Sequence, residues 1–443
     1  MPTLNMRGRD TSFSLIKLLM MSTTKKRFAI NASWLAIGRI FQVGITFITT
    51  MLVARYLGPD KYGIITYTYS YVVIFSSFAT LGLNDIVVKE LLDKDNKKEE
   101  VLGTMILLKT ISSTLTIGLI YIVITIMNDS SIVRTITILQ SLSLLFQVFD
   151  SINYFYQASL LSQKFAAVNI IAYTLTAIFR IYGLLNSKDI QWFAFAVSLD
   201  FLVISILLIS IYFKDGYKLS FSKPLVKKLL SKSYNYIFAS VMIGIYSKAD
   251  SIILEKMIDD AHVGYFAAAT TICNAWPIVL QAIIDSASPI IIQLRNEDIE
   301  GYKKRFRQLF ATIFYISVFV GILILLLSDF AIGLIYGSEY MPAASALKIV
   351  CWSTIFSYFG VARGIWMQCE NKIKYEKPLY FLGAVSNVIL NIVLIKLYGI
   401  NGAALALTLT EFLTNFAYVY LLPQTRESAK LMLDGIILKG VFK

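Results

Sequence analysis

Charged side chains stand inside the apolar runs of this sequence: Arg39, Lys109, Asp150, Arg180, Asp200, Lys248, Asp250, Asp285, Arg363 and Glu411. A charge at the centre of a membrane helix costs ~2.5–3.5 kcal/mol on the insertion scale. Each must therefore face protein or a wet cavity, or reach out of the bilayer. The cations Arg39, Lys109, Lys248 and Arg363 suit an anionic cargo. The carboxylates Asp150, Asp250 and Asp285 suit a proton or Na+, because ion binding removes their desolvation cost. Together they describe a carrier that moves a negative group against an inward ion flow. Snorkelling of a long basic side chain to the headgroups is the competing account, strongest for Arg180 and Arg363. Lys248 and Asp250 stand two apart on one helix, so they are not expected to pair with each other.

Polar residues also recur at helical spacing. Ser143, Gln147, Asp150, Tyr154 and Gln157 make one stripe, Thr408, Glu411 and Asn415 a sparser one, and Asn387 and Asn391 a pair. Interhelical hydrogen bonds, worth ~0.6–2 kcal/mol each, account for Asn387 and Asn391. They account less well for Asp150 and Glu411, whose ionised forms want water or a cation.

The elements that must position these groups are transmembrane helices. The chain is 57% hydrophobic and 16% charged. A crossing needs ~20 apolar residues. About twelve such runs can be drawn, at 31–55, 62–84, 101–127, 134–158, 164–184, 190–213, 233–256, 262–292, 307–336, 343–368, 376–396 and 399–422. The run 262–292 holds Pro277 and Pro289 and is expected to be kinked. This predicts an all-α, polytopic membrane protein with two six-helix bundles around a central cavity. The expected divisions are a tail at 1–30, bundles at 31–213 and 233–422, a basic linker at 214–232 and a tail at 423–443.

A net charge of +13 would suggest nucleic acid in a soluble protein. Here its distribution reads as orientation. Lys25, Lys26, Arg27, Lys89, Lys97, Lys98, Lys223, Lys227, Lys228, Arg295, Lys303, Lys304, Arg305, Lys372, Lys374, Arg426 and Lys430 fall at one end of the runs. The opposite loops offer little beyond Arg55, Lys61, Arg134, Lys188, Lys256 and Lys396. The positive-inside rule then makes both termini cytoplasmic, and nucleic acid is not an expected partner. Phe13–Met21 is too short to span, and Met20 or Met21 would serve equally well as the start.

Three cysteines at no ligand spacing and one histidine, His262, leave no metal site or histidine triad to propose. There is no G-x-x-x-x-G-K-[ST] loop, so ATP is not the direct energy source, and no cofactor or catalytic residue is expected. A faint internal echo links Leu57-Gly58-Pro59-Asp60-Lys61-Tyr62-Gly63 with Ile258-Asp259-Asp260-Ala261-His262-Val263-Gly264-Tyr265. It suggests a parallel repeat about the membrane normal.

Ala54-Arg55-Tyr56-Leu57-Gly58-Pro59-Asp60-Lys61-Tyr62-Gly63 closely resembles the signature after the first helix of Wzx-type polysaccharide flippases, members of the multidrug/oligosaccharidyl-lipid/polysaccharide exporter superfamily. Gly82-Leu83-Asn84 with Lys89-Glu90-Leu91 resembles the next cytoplasmic turn, with Lys89 where Arg is usual. Lys248-Ala249-Asp250, Val263-Gly264-Tyr265-Phe266, Gly337-Ser338-Glu339-Tyr340 and Gly399-Ile400-Asn401-Gly402 are similar to later signatures. The resemblance implies a non-enzymatic flippase in the bacterial inner membrane, with no catalytic site. It would pass an undecaprenyl-pyrophosphate-linked oligosaccharide, such as an O-antigen repeat for lipopolysaccharide, to the periplasmic leaflet. It implies H+ or Na+ as coupling ion, the bilayer and polysaccharide polymerase machinery as partners, and a cationic cavity that Arg39 and Lys248 could supply.

A drug or cation antiporter of the same superfamily is the nearest rival, and it would be expected to have an acidic, apolar cavity. A lipid II flippase would be expected to add two C-terminal helices. A membrane-embedded polysaccharide-processing enzyme would need a large outer loop or a histidine deep in a helix.

Overall fold

A computed structural model describes residues 10–93, 96–127, 130–159 and 161–442, which form helices and short connections. The first crossing, α1 (10–57), meets the second, α2 (59–80), without a loop. Gly58 takes φ 75° and ψ 170°, open to glycine, and Pro59 starts α2 with its φ already helical. The short α3 (Asn84–Leu92) follows, then α4 (Lys98–Ile126), α5 (Ser131–Ala158), α6 (Ser162–Leu185) and α7 (Ile190–Lys214). After the linker come α8 (Lys223–Met257) and α9 (Asp260–Glu297), whose arms Asp260–Ala275 and Ile278–Glu297 meet at Trp276-Pro277. The chain continues through α10 (Ile299–Ile335), α11 (Ala343–Val350 and Ser353–Cys369, bent by 40°), α12 (Glu376–Tyr398), α13 (Ile400–Leu421) and α14 (Arg426–Ile436). Ser130, Asp189, Asp259 and Asp298 accept backbone N–H groups at the starts of α5, α7, α9 and α10.

Among the described residues ten helices are long and apolar enough to cross a membrane, or eleven with the bent α11. That count takes α1 and α2 together as one 45-residue span, roughly twice what a hydrocarbon core needs. Their contacts show a reversal. Gln42 of α1 donates to the Tyr173 hydroxyl (2.7 Å) and Tyr56 to the Lys188 carbonyl (3.2 Å), so α1 runs with α6. Gly244 of α8 lies against Ile74, and Gly82 against Tyr236, so α2 runs against α8. Divided at Gly58, the protein has the expected twelve crossings, and it is a multi-pass membrane protein.

Six crossings precede the linker and six follow it. Near the basic end each half has its own core, around Val87, Phe155 and Tyr212 in the first and Phe306, Trp366 and Met432 in the second. At the far end a single core takes residues from both, Tyr62 and Tyr67 packing with Leu254, Phe266 and Tyr340. The two echoing segments meet there. Gly63 lies on the Asp260 carbonyl and Gly264 on the Pro59 carbonyl, and a Cβ on either glycine would overlap that oxygen. The contact is reciprocal, since Pro59 precedes Gly63 by the same interval as Asp260 precedes Gly264. Reciprocity of this kind is what an approximate two-fold axis produces. The Tyr340 hydroxyl donates to the Ala54 carbonyl (2.8 Å) and completes the seal.

The connecting segments are more ordered than their sequences suggest. The N-terminal segment is helical from Asp10 onward, and the part of the expected tail at residues 1–9 lies outside the described residues. The linker expected at 214–232 becomes helix at Lys223, where Leu225 and Leu229 join the core of the first half. The expected C-terminal tail instead forms α14, because Leu431 and Met432 have an apolar surface of α10 to cover.

Candidate central cavity

Between the halves lies a cavity of about 730 Å³ lined by both. The first half supplies Gln42 and Thr46 from α1, Tyr69 from α2, Tyr173 and Arg180 from α6, and Asp200 from α7. The second supplies Tyr246, Lys248 and Asp250 from α8, Thr271 and Asn274 from the outer arm of α9, Ser357 and Tyr358 from α11, and Glu411 from α13. The α1–α2 hairpin packs on the outer arm of α9 and parts from its inner arm, so the space widens away from the seal, toward the basic end. Its lining of phenols, hydroxyls and amides offers many donors and acceptors.

The charges in the lining are not equivalent. Arg180 donates to Asp200 Oδ2 (2.5 Å) and to the Ala196 carbonyl (3.3 Å), so this cation is tied to a carboxylate on the next helix rather than snorkelling outward. Lys248 makes no ion pair among the described residues, although Asp250 lies within electrostatic reach. As the spacing predicts, the two line the same space without bonding to each other. Asp250 Oδ1 and Thr46 Oγ1 are buried at the cavity wall without a hydrogen-bond partner. Glu411 accepts from Asn415 (2.7 Å) and bonds with Tyr246.

Not all of the expected site residues gather here. Lys109 lies inside the first half, donating to Asn84 Oδ1 (2.5 Å) and Ser151 Oγ (2.9 Å) with Asp150 within reach. It joins α3 to α5 and does not line the cavity, because polar partners within its own half satisfy it. Asp150 ends a 3₁₀ turn, Gln147–Asp150, and does not line the cavity, although Tyr173, which does, is within its electrostatic reach. Arg363 is fully buried behind the cavity wall, donating to the Thr414 carbonyl (3.2 Å) beside a π turn at Leu413–Ala417. Neither Lys109 nor Arg363 lines the cavity. Arg39 and Asp285 are exposed and do not line the cavity, yet both are within electrostatic reach of Tyr358, which does. Arg39 shares a face of α1 with Gln42 and Thr46, nearer the basic end. Asp285 accepts from Gln281 (2.8 Å).

Tyrosines suit the hydrogen bonding of sugars, but the sequence alone singles out none of those that line the space. Tyr62, Thr66 and Tyr69 on α2, and Ala267, Thr270, Thr271 and Asn274 on α9, recur at three- and four-residue intervals and line the space. That periodicity was the available signal. Asn387 and Asn391 are fully buried, with Asn391 donating to the Asn387 carbonyl (2.9 Å). Cys273, Cys351 and Cys369 are free. Among the described residues no His/Cys/Asp/Glu group could hold a metal.

Two helix bundles facing a shared cavity define a class of membrane transporter fold. The lipid II flippase MurJ, in an inward closed conformation, superposes with a TM-score of 0.69, 16% identity, and coverage of 91% of each chain. An inward-facing multidrug resistance MATE family transporter of the MOP superfamily gives 0.67, at 14% identity over 90% of this chain and 98% of that one. The chain belongs to the polysaccharide biosynthesis protein family, whose pattern matches residues 28–295. CapF, a capsular polysaccharide biosynthesis protein of Staphylococcus aureus, is 20% identical over 410 residues, 88% of this chain and 98% of that protein. Agl15 of Haloferax volcanii, a probable low-salt glycan biosynthesis flippase, is 28% identical over 198 residues. That alignment spans 43% of this chain and 41% of Agl15. The resemblance read from the sequence motifs is borne out.

Proposed function

We propose that this chain is a flippase for an oligosaccharide linked through pyrophosphate to a polyprenol such as undecaprenol, carried from the cytoplasmic to the periplasmic leaflet by alternating access. The observation that carries the reading is a polar cavity shared by both halves, sealed at one end and presenting Lys248 without an ion-pair partner among the described residues. Arg39 lies on the approach from the basic end, where the pyrophosphate would enter. The sugars would meet the tyrosines and amides, and the prenyl chain would stay in lipid where α1 and the inner arm of α9 diverge. With Asp200 held by Arg180, the remaining charges of the lining are Lys248, Asp250 and Glu411. A proton or Na+ at Asp250 would neutralise a buried carboxylate oxygen that has no partner, and so return the emptied carrier. Among the candidates for that ion, Asp250 faces the cavity, Asp285 stands near its mouth, and Asp150 belongs to the Lys109 cluster.

Basic residues at one end support a bacterial cytoplasmic membrane location with both termini inside. The cargo would then be an O-antigen or similar repeat, delivered to a polymerase at the outer face. A charge-assisted hydrogen bond is worth ~1.5–3 kcal/mol, so Lys248→Gln should slow translocation of lipid-linked oligosaccharide in proteoliposomes by roughly 10- to 150-fold. Unchanged flipping by a well-folded Lys248→Gln protein would overturn the reading. A second reading, export of organic cations, draws on the three carboxylates Asp200, Asp250 and Glu411 in the same lining. Uptake of a cationic dye that Asp250→Asn abolishes, with no flipping of lipid-linked sugar, would favour it.

A further inference from the structure

Away from the central cavity, α14 lies along the first turns of α10. Gly435 is set so close to the Arg307 carbonyl that a Cβ would come within 2.8 Å of it. Tyr315 donates to the Ile436 carbonyl (2.9 Å) and Gln308 to the Val441 carbonyl (3.0 Å). The start of α14 and α10 enclose a groove of about 450 Å³. Lys303, Arg307, Arg426 and Lys430 line it, with Glu427 and Asp434 as its acids.

Both acids are already engaged. Glu427 pairs with Lys303 (3.2 Å) and Asp434 with Arg307 (3.4 Å). Arg426 rests on the Tyr420 and Leu421 carbonyls (3.0 and 3.3 Å), and Lys430 makes no ion pair among the described residues. The groove therefore keeps two cations that no carboxylate offsets. It opens immediately after the last crossing, where α14 begins at Arg426 beyond the end of α13 at Leu421. The chain beyond α14 passes Arg307 at Gly440 and leaves Ile437 (66%) and Phe442 (81%) exposed. Water disfavours such side chains at the surface, whereas the headgroup–acyl boundary accepts them.

We propose that this groove binds the headgroup of an anionic phospholipid of the leaflet at the basic end, with the phosphate between Arg426 and Lys430 and the acyl chains beside Ile437 and Phe442. A guanidinium and an ammonium together suit a phosphodiester. The adjoining apolar edge selects a lipid over a soluble anion. Occupancy would clasp α14 to α10 and brace the second half independently of what the central cavity carries.

The test uses full-length protein in nanodiscs or lipid–detergent micelles. Phosphatidylglycerol or cardiolipin should raise the unfolding temperature above that in phosphatidylcholine, and native mass spectrometry should retain the anionic lipid. At ~1 kcal/mol per cation near an anionic surface, Arg426→Gln with Lys430→Gln should weaken lipid retention roughly thirtyfold. Cavity-dependent flipping in neutral lipid should stay unchanged. Should the double variant not fold, Lys430→Gln alone, at an exposed position, should weaken retention by about fivefold. Equal retention by wild type and either folded variant would overturn the proposal. So would an equal thermal shift from inorganic phosphate or pyrophosphate in phosphatidylcholine, since that would make the groove a site for soluble anions.

Discussion

The two ends of this protein hold its halves together by opposite means. At the far end backbone meets backbone, Gly63 on Asp260 and Gly264 on Pro59, and no ion pair makes that contact. At the basic end long side chains tie the first turns of α8 to the first half. Glu90 of α3, almost fully buried, bonds with Lys232 and pairs with Lys228 (3.5 Å), which also reaches Asp93 (3.2 Å). A seal of carbonyls on glycines is short-ranged and all-or-none, whereas ion pairs weaken gradually and answer to salt and pH. The molecule has built a brittle end and a compliant one.

The sharpest way to break that contrast is Gly63→Ala or Gly264→Ala. Overpacking costs about 1–3 kcal/mol, enough to shift a two-state equilibrium by roughly 5- to 150-fold toward opening at the far end. Labelling of a cysteine at Thr271 from the far side should rise accordingly, and unchanged labelling would show the seal to be plastic. Next comes Glu90→Gln. Burial pushes the Glu90 carboxyl up, but the hydrogen bond and charge of Lys232, helped by Lys228, outweigh it and hold it below the usual carboxylate range. A depressed carboxyl contributes stability above its ordinary titration range, and that stability is lost as pH falls through the folded value. Glu90→Gln should thus cost about 1–2 kcal/mol at pH 7. Wild type and variant should converge in unfolding temperature under acid. The smallest effect is expected from Lys164→Gln or Arg295→Gln, which remove partly exposed pairs with Asp215 and Glu370. Each should cost below about 1 kcal/mol and vanish in high salt, as chemical denaturation can measure.

The crossings were legible because ~20 apolar residues per helix is a strong, local pattern. Gly58-Pro59 was legible too, and the echo around it proved to be one surface meeting its counterpart. What the sequence could not supply was rotation. Lys109 and Lys248 are both lysines within apolar helices near an aspartate, yet one is enclosed among Asn84 and Ser151 and the other faces the cavity. Neighbouring helices set which face turns inward, and a single charge does not encode them. Arg180 and Asp200 met for the same reason, through the packing of α6 on α7. The stripe on α5 was real as a pattern, but its Asp150 stands beside Lys109 of α4 within the first half.

The break in α9 has a mechanical consequence. Its outer arm is held by the α1–α2 hairpin of the opposite half, while its inner arm packs on α10 and α11. Any tilt of one half against the other therefore loads Trp276-Pro277 like an elbow between two splinted bones. Proline has no amide hydrogen, so flexing at that joint forfeits no ladder bond from it and leaves the helix on either side intact.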